Sequence, residues 1–178
     1  MNKKIFIKRD IKAIEDASKQ LARHRSIDPD LATSIQEHLR YALVIAAGSL
    51  IEQTFYDLIP LSISRSGKLG CVHSIVKKSI AMNMYRYFDY KCSNESKAAN
   101  CLYASLGIVN EIDDIKKRDS AFCESEIAIV QLMKTRNETA HEYKIESFKS
   151  YTIQDIFDKY KKSRIYLSRV ARVVRSKV

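Results

Sequence analysis

Glycine and proline are scarce, at 4 and 2 of 178 residues, where average usage would be roughly 7% and 5%. So few chain breakers exclude most sandwiches, barrels and turn-rich folds, and they point to long helices. No uncharged apolar stretch reaches the roughly 18 residues of a membrane span. The most apolar run, Tyr41 to Ile51, is 11 residues long and reads as a buried helix, so no membrane partner is expected. The charged start, Met1 to Arg9, has no apolar h-region and no small-residue cleavage site, which argues against a signal peptide. Cys71, Cys92, Cys101 and Cys123 form no CxxC and no Cys/His pair at zinc spacing. Reduced, mostly buried thiols in a cytoplasmic protein are expected, with no metal and no cofactor.

Apolar residues make up 46% of the chain, which excludes wholesale disorder. The length fits one helical domain over residues 1–178. Lys and Arg number 31 against 21 acids, a formal charge of +10. From Lys159 to Val178 there are eight basic residues and no acid, so this segment alone supplies +8. A basic end of this kind attracts phosphate polyanions, or it is simply a solvated helix face. Arg164, Arg169, Arg172 and Arg175 are the candidate RNA contacts.

Apolar spacing predicts a first helix over 10–25 with Ile11, Ile14, Ala17 and Leu21 on one face. Asp28-Pro29 supplies an N-cap and a favoured first helical residue. A long second helix follows to Ile59, with Pro60 as its stop. Its small residues Ala46, Ala47 and Gly48 permit close approach of a neighbour. A third helix is expected over 72–90, ending in aromatic Met84–Tyr90, which reads as core packing with a partly wet tyrosine rim or as a nucleobase platform. Residues 93–110 look helical but interrupted at Gly107, and charged 111–119 reads as a connection. Helices over 121–143 and 153–175 complete an all-α bundle of about five or six helices. Thr152-Ile153-Gln154-Asp155 resembles a capping box with Asp in place of Glu.

The chemistry-bearing segment is Lys134 to Tyr143, with the pattern R-N-x-x-x-H-x-Y. Asn137 and His141 are four apart and share a helix face, so the amide can orient the imidazole. Arg136 and His141 are five apart, and their directions differ by about 140°. One helix therefore does not aim both at one phosphate, whereas two copies across a two-fold axis can. A histidine exchanges protons near neutral pH, and an arginine fork holds phosphate oxygens and developing charge. RNA brings its own nucleophile, the 2′-hydroxyl. An R-x4-H pair alone arises by chance about 0.3 times in such a chain, and the flanking Asn and Tyr make the pattern much rarer. The competing structural reading is a surface Arg–Glu pair, a helix-terminal histidine and a packed tyrosine.

Arg136-Asn137-Glu138-Thr139-Ala140-His141 resembles the R-x4–6-H motif of HEPN domains, an all-α superfamily, with Asn137 as the polar residue after the arginine. With Tyr143, the segment is similar to the R-x4-H-x-Y form of HEPN toxins paired with a nucleotidyltransferase antitoxin. The resemblance implies a metal-independent endoribonuclease whose composite site forms in a homodimer. Toxin or antiphage ribonuclease roles are common in that family, and the resemblance implies one of them here. Arg136 would contact the phosphate and His141 would be the acid/base, with Asn137 orienting it. The products would be a 2′,3′-cyclic phosphate and a 5′-hydroxyl. Tyr143 would be the candidate for nucleotidylation by an antitoxin. The alternative within the resemblance is a non-catalytic nucleotide- or partner-binding protein working with a nucleotidyltransferase. Glu52, which follows the apolar run, is a candidate auxiliary residue pairing with Arg136 or His141, or else it is a solvent-facing or structural acid.

Overall fold

The computed structural model describes residues 3–23, 27–64, 87–88, 97–142 and 151–177, without the side chains of residues 3–6, 61–64, 141 and 142. Among these residues there are six helices and no strand: α1 (Lys3–Arg23), α2 (Pro29–Ser64), α3 (Asn100–Leu106), α4 (Val109–Arg118), α5 (Ser120–Glu142) and α6 (Ile153–Lys177). The protein is an all-α bundle, as the scarcity of breakers predicts.

Local chemistry sets several of the helix ends. Asp28 Oδ1 accepts the backbone N–H groups of Asp30 and Leu31 at 3.0 and 3.1 Å, satisfying two donors that α2 cannot use internally. At α6 the variant capping box forms. Asp155 N–H donates to Thr152 Oγ1 at 3.1 Å, while Thr152 N–H donates back to Asp155 Oδ2 at 2.8 Å. Gly107 ends α3 in the left-handed region, at φ 64°. Its N–H and that of Ile108 return to the carbonyls of Ala104 and Tyr103, a Schellman closure.

Three boundaries differ from expectation. α1 begins at Lys3 rather than near residue 10. Nothing in the basic, apolar stretch after Lys3 breaks a helix. Pro60 does not stop α2 but lies buried inside it, and the helix runs on to Ser64. A mid-helix proline costs about 3 kcal/mol, and burial of Ile59 and Pro60 is the visible compensation. Residues 111–119 are not a connection, because all but Asp119 belong to α4. Glu111 stands in its first turn and Lys116, Lys117 and Arg118 in its last, which suits the helix dipole. Ile112 is its buried anchor. The expected helix over 72–90 lies outside the described residues except for Tyr87 and Phe88. Phe88 is buried and meets Phe55 edge-on at 6.4 Å, with Tyr87 6.1 Å from the same ring.

The chain forms two compact units, one of residues 1–50 and 132–160, the other of residues 51–131 and 161–178. The first unit buries Ile11, Leu43, Val44, Ala47, Leu50, Leu132, Met133, Ile156 and Phe157. The second buries Phe55, Leu102, Ile112, Phe122, Ile129, Tyr166, Leu167, Val170 and Val174 among others. By length and composition Pro29–Pro60 would also suit a membrane span, and 44% of its most apolar window is buried inside the protein. Cys101 is exposed and Cys123 half-buried, so the expectation of mostly buried thiols does not hold for these two. Cys71 and Cys92 lie outside the described residues.

Candidate functional site

The motif occupies the last third of α5, within the first unit. Thr135 and Thr139 are buried, and Arg136, Asn137 and Glu138 are half-buried. The face carrying Arg136 is turned toward α2. A Cβ placed on Gly48 would lie 2.8 Å from Arg136 Cβ and 3.4 Å from its Cδ, with Cγ closer still. The stem of the arginine thus fills the space that a side chain at position 48 would take. Arg136 Nε is sealed from solvent. His141 stands on α5 one turn beyond Asn137, as the spacing predicts. Its side chain, the Asn137–His141 contact and Tyr143 lie outside the described residues. Glu52 is half-buried on α2 and belongs to the second unit, whereas Arg136 and His141 belong to the first.

Three basic residues of α6 meet acids elsewhere in the second unit. Arg169, taken from the sequence as an RNA contact, donates from Nη1 to Asp119 Oδ2 at 2.6 Å and is only half-exposed. Asp119 also caps α5, since its Oδ1 accepts the Phe122 N–H at 3.0 Å. One carboxylate therefore starts α5 and ties α6 to it. Lys162 pairs with Glu124 at 2.9 Å and Lys177 with Glu111 at 2.7 Å. Arg164, Arg172 and Arg175 are exposed.

Sequence reasoning missed a buried polar cluster in the second unit. Glu126 is fully buried. Its carboxylate accepts the Tyr103 hydroxyl at 2.7 Å and faces Lys116 Nζ at 2.8–2.9 Å. Tyr103 in turn lies 2.7 Å from the Tyr166 hydroxyl. With Tyr103 donating to Glu126, Tyr166 donates to Tyr103. Lys116 Nζ also stands 5.0 Å from the centroid of the Tyr103 ring. Tyr166 stacks on Phe122 at 5.5 Å. Burial raises the Glu126 carboxyl above its usual value, against the lowering pull of Lys116 and Tyr103. Burial also drives both tyrosines upward, so they stay neutral. The missed signal was periodicity: Glu126 stands four residues after Phe122 and four before Val130, on the apolar face of α5.

The first unit also holds an open cleft of about 310 Å³, lined by Ser18, Gln36, Arg40, Thr152, Ile153 and Gln154. Arg40 Nη1 donates a long hydrogen bond, 3.4 Å, to the Tyr151 carbonyl beside it. No motif residue lines this cleft. Among the described residues no three His, Cys, Asp or Glu side chains gather as a metal site would require.

Comparison of the chain with protein-family models, with curated proteins and with solved structures finds no match.

Proposed function

We propose that the chain is a metal-independent endoribonuclease with a composite site built from two copies of the Arg136–His141 segment. One observation carries the reading. The R-N-x-x-x-H pattern lies on one continuous helix, α5, so the three positions keep helical spacing along one backbone. The strong positive charge of the chain suits an RNA substrate.

In the reaction, His141 of one copy takes the proton from a ribose 2′-hydroxyl. The 2′-oxygen then bonds to the adjacent phosphorus as the P–O5′ bond breaks. The 5′-oxygen leaves with a proton from the acid form of the second copy's His141. Arg136 holds a non-bridging phosphate oxygen while charge builds there. The products are a 2′,3′-cyclic phosphate and a 5′-hydroxyl, so no water and no redox partner is consumed. A toxin or antiphage role, with a nucleotidyltransferase antitoxin acting at Tyr143, is the biological setting this chemistry fits.

The test is RNA cleavage in EDTA by the purified chain, beside Arg136→Ala and His141→Ala proteins of matching helicity. Cleavage by the parent and loss of at least a hundredfold in each variant support the reading. Cleavage that survives both changes removes the motif from the mechanism. An inert parent that co-purifies with a nucleotidyltransferase favours the non-catalytic binding role.

A further inference from the structure

Along a helix each residue turns about 100° and rises about 1.5 Å. Counted from Lys134 on α5, positions 137, 138 and 141 all fall within an arc of about 100°, and position 141 lies only about 20° from Lys134. Lys134 and His141 are seven positions apart, so their backbones are separated by about 10 Å along the axis. Arg136 stands about 160° round from Lys134, with its stem against Gly48 of α2. Within one copy, the cation that shares the histidine's face is therefore Lys134 and not the arginine of the motif. Lys134 is exposed, while Met133 and Thr135 on either side are buried. Among the described residues it makes no hydrogen bond and no ion pair. Glu138, one turn on, is not joined to it, in keeping with the weaker lysine-before-glutamate order.

We infer that Lys134 is a substrate-binding residue whose ammonium takes the RNA phosphate next to the one at which His141 acts. The choice of RNA rests on the ribonuclease reading. An offset of two helical turns is the span of a neighbouring phosphate rather than of a second oxygen on the same one. A lysine suits that place, because it is a point charge with rotatable donors on a flexible stem, and a flanking phosphate asks for attraction without fixed geometry. Arg136, held along its stem by α2, keeps the role at the reacting phosphate, where a planar donor fork fits the oxygens on which charge builds. The two cations thus divide binding from chemistry. A contact to a phosphate that does not react is equally strong in the bound substrate and the transition state, so Lys134 acts on KM and leaves kcat alone.

The experiment has two arms, both on the full chain. The first measures binding to a labelled short 2′-O-methyl oligoribonucleotide, which cannot be cleaved. Lys134→Ala, which keeps good helix propensity at an exposed position, should weaken binding by about fivefold. It should also lower the magnitude of the log–log salt slope by about 0.7, the share of one phosphate contact on a single strand. Lys134→Arg should restore both. The second arm follows cleavage of a short RNA with and without a neutral methylphosphonate linkage on the 5′ or the 3′ side of the cleaved one. On the all-phosphate RNA, Lys134→Ala should raise KM by about fivefold with kcat unchanged. On the RNA whose contacted neighbour is neutral, the same change should have no effect. The inference is overturned if Lys134→Ala keeps the parent affinity and slope, or if its loss appears in kcat alone. Protein and substrate changes that add in full for both neighbours also overturn it. A parent that never cleaves RNA sinks the ribonuclease reading, and the first arm then decides Lys134 by itself: a reduced slope retains it as a phosphate contact, and an unchanged slope removes it.

Discussion

Gly48 and Arg136 occupy each other's space: the stem of the arginine lies where a Cβ on residue 48 would be, 2.8 Å from Arg136 Cβ. Glycine in the middle of a helix costs about 1 kcal/mol relative to alanine, so its presence in α2 needs a compensating contact. Arg136 is that contact. Gly48→Ala should therefore destabilise the protein by about 1–3 kcal/mol through overpacking, despite its better helix propensity. In an Arg136→Ala background the Cγ and Cδ contacts are gone but the 2.8 Å contact with the residue-136 Cβ remains, so the same change should cost less without becoming stabilising. A thermal-denaturation double-mutant cycle reads this coupling. Additive effects would show that the two residues do not meet. Because the displaced residue is the arginine of the motif, the RNA cleavage proposed above should under Gly48→Ala lose kcat more than it changes KM.

The sequence signal for this contact was partial. The run of Ala46, Ala47 and Gly48 does announce a close approach, because small residues leave room. It does not say what fills the room, and an arginine stem is not the neighbour that a small-residue run leads one to expect. Asp28, Thr152, Asp155 and Gly107 were legible for a different reason. Each acts on backbone groups within about one turn, so spacing alone determines its partner. Pro60 and the charged α4 depart from the sequence pattern because both are decided by packing: burial carries the helix past the proline, and Ile112 anchors a ten-residue helix in which seven residues are polar. The motif spacing is readable, but the pairing of Lys162, Arg169 and Lys177 with acids depends on residues 38 to 66 positions away and has no local trace.

Asp119 makes two bonds with one carboxylate, and its substitutions should separate them. Asp119→Ala removes the cap on Phe122 N–H and the tie to Arg169, for a loss of about 1.5–2 kcal/mol. Asp119→Asn keeps a capping oxygen and should lose about 0.5–1 kcal/mol, the value of a half-exposed ion pair. Arg169→Ala should match the asparagine variant. Chemical denaturation with a common m-value checks the order, and an Arg169→Ala loss as large as that of Asp119→Ala would show that the cap contributes little.

Glu126 and Asp155 should give pH dependences of opposite sign. The buried Glu126 carboxyl holds its proton more tightly folded than unfolded, chiefly because burial disfavours its charge. The stability it contributes is full below the ordinary glutamate value and is lost as pH rises toward the raised folded value. Asp155 is lowered, chiefly by the hydrogen bond from Thr152, so its contribution is present above the ordinary aspartate value and is lost as pH falls through the lowered one. Thermal midpoints from acid to neutral pH should show Glu126→Gln removing a decline with rising pH, and Asp155→Asn removing a gain. Parallel profiles for parent and Glu126→Gln would mean that Lys116 fully offsets the burial.

Tyr103 is the link through which Glu126 and Tyr166 communicate, since its hydroxyl lies 2.7 Å from each of their oxygens. Tyr103→Phe leaves one buried carboxylate lone pair and one buried phenol without that partner, so it should cost about 1–3 kcal/mol although it removes a single oxygen. Tyr166→Phe, at the end of the chain, leaves the Tyr103–Glu126 bond intact and should cost less. The double variant should cost less than the sum, because the second change removes a group the first has already orphaned. Equal single losses that add in full would place the two hydroxyls in independent environments. The cycle, measured by urea denaturation, therefore tests whether the three oxygens act as one chain ending on Glu126.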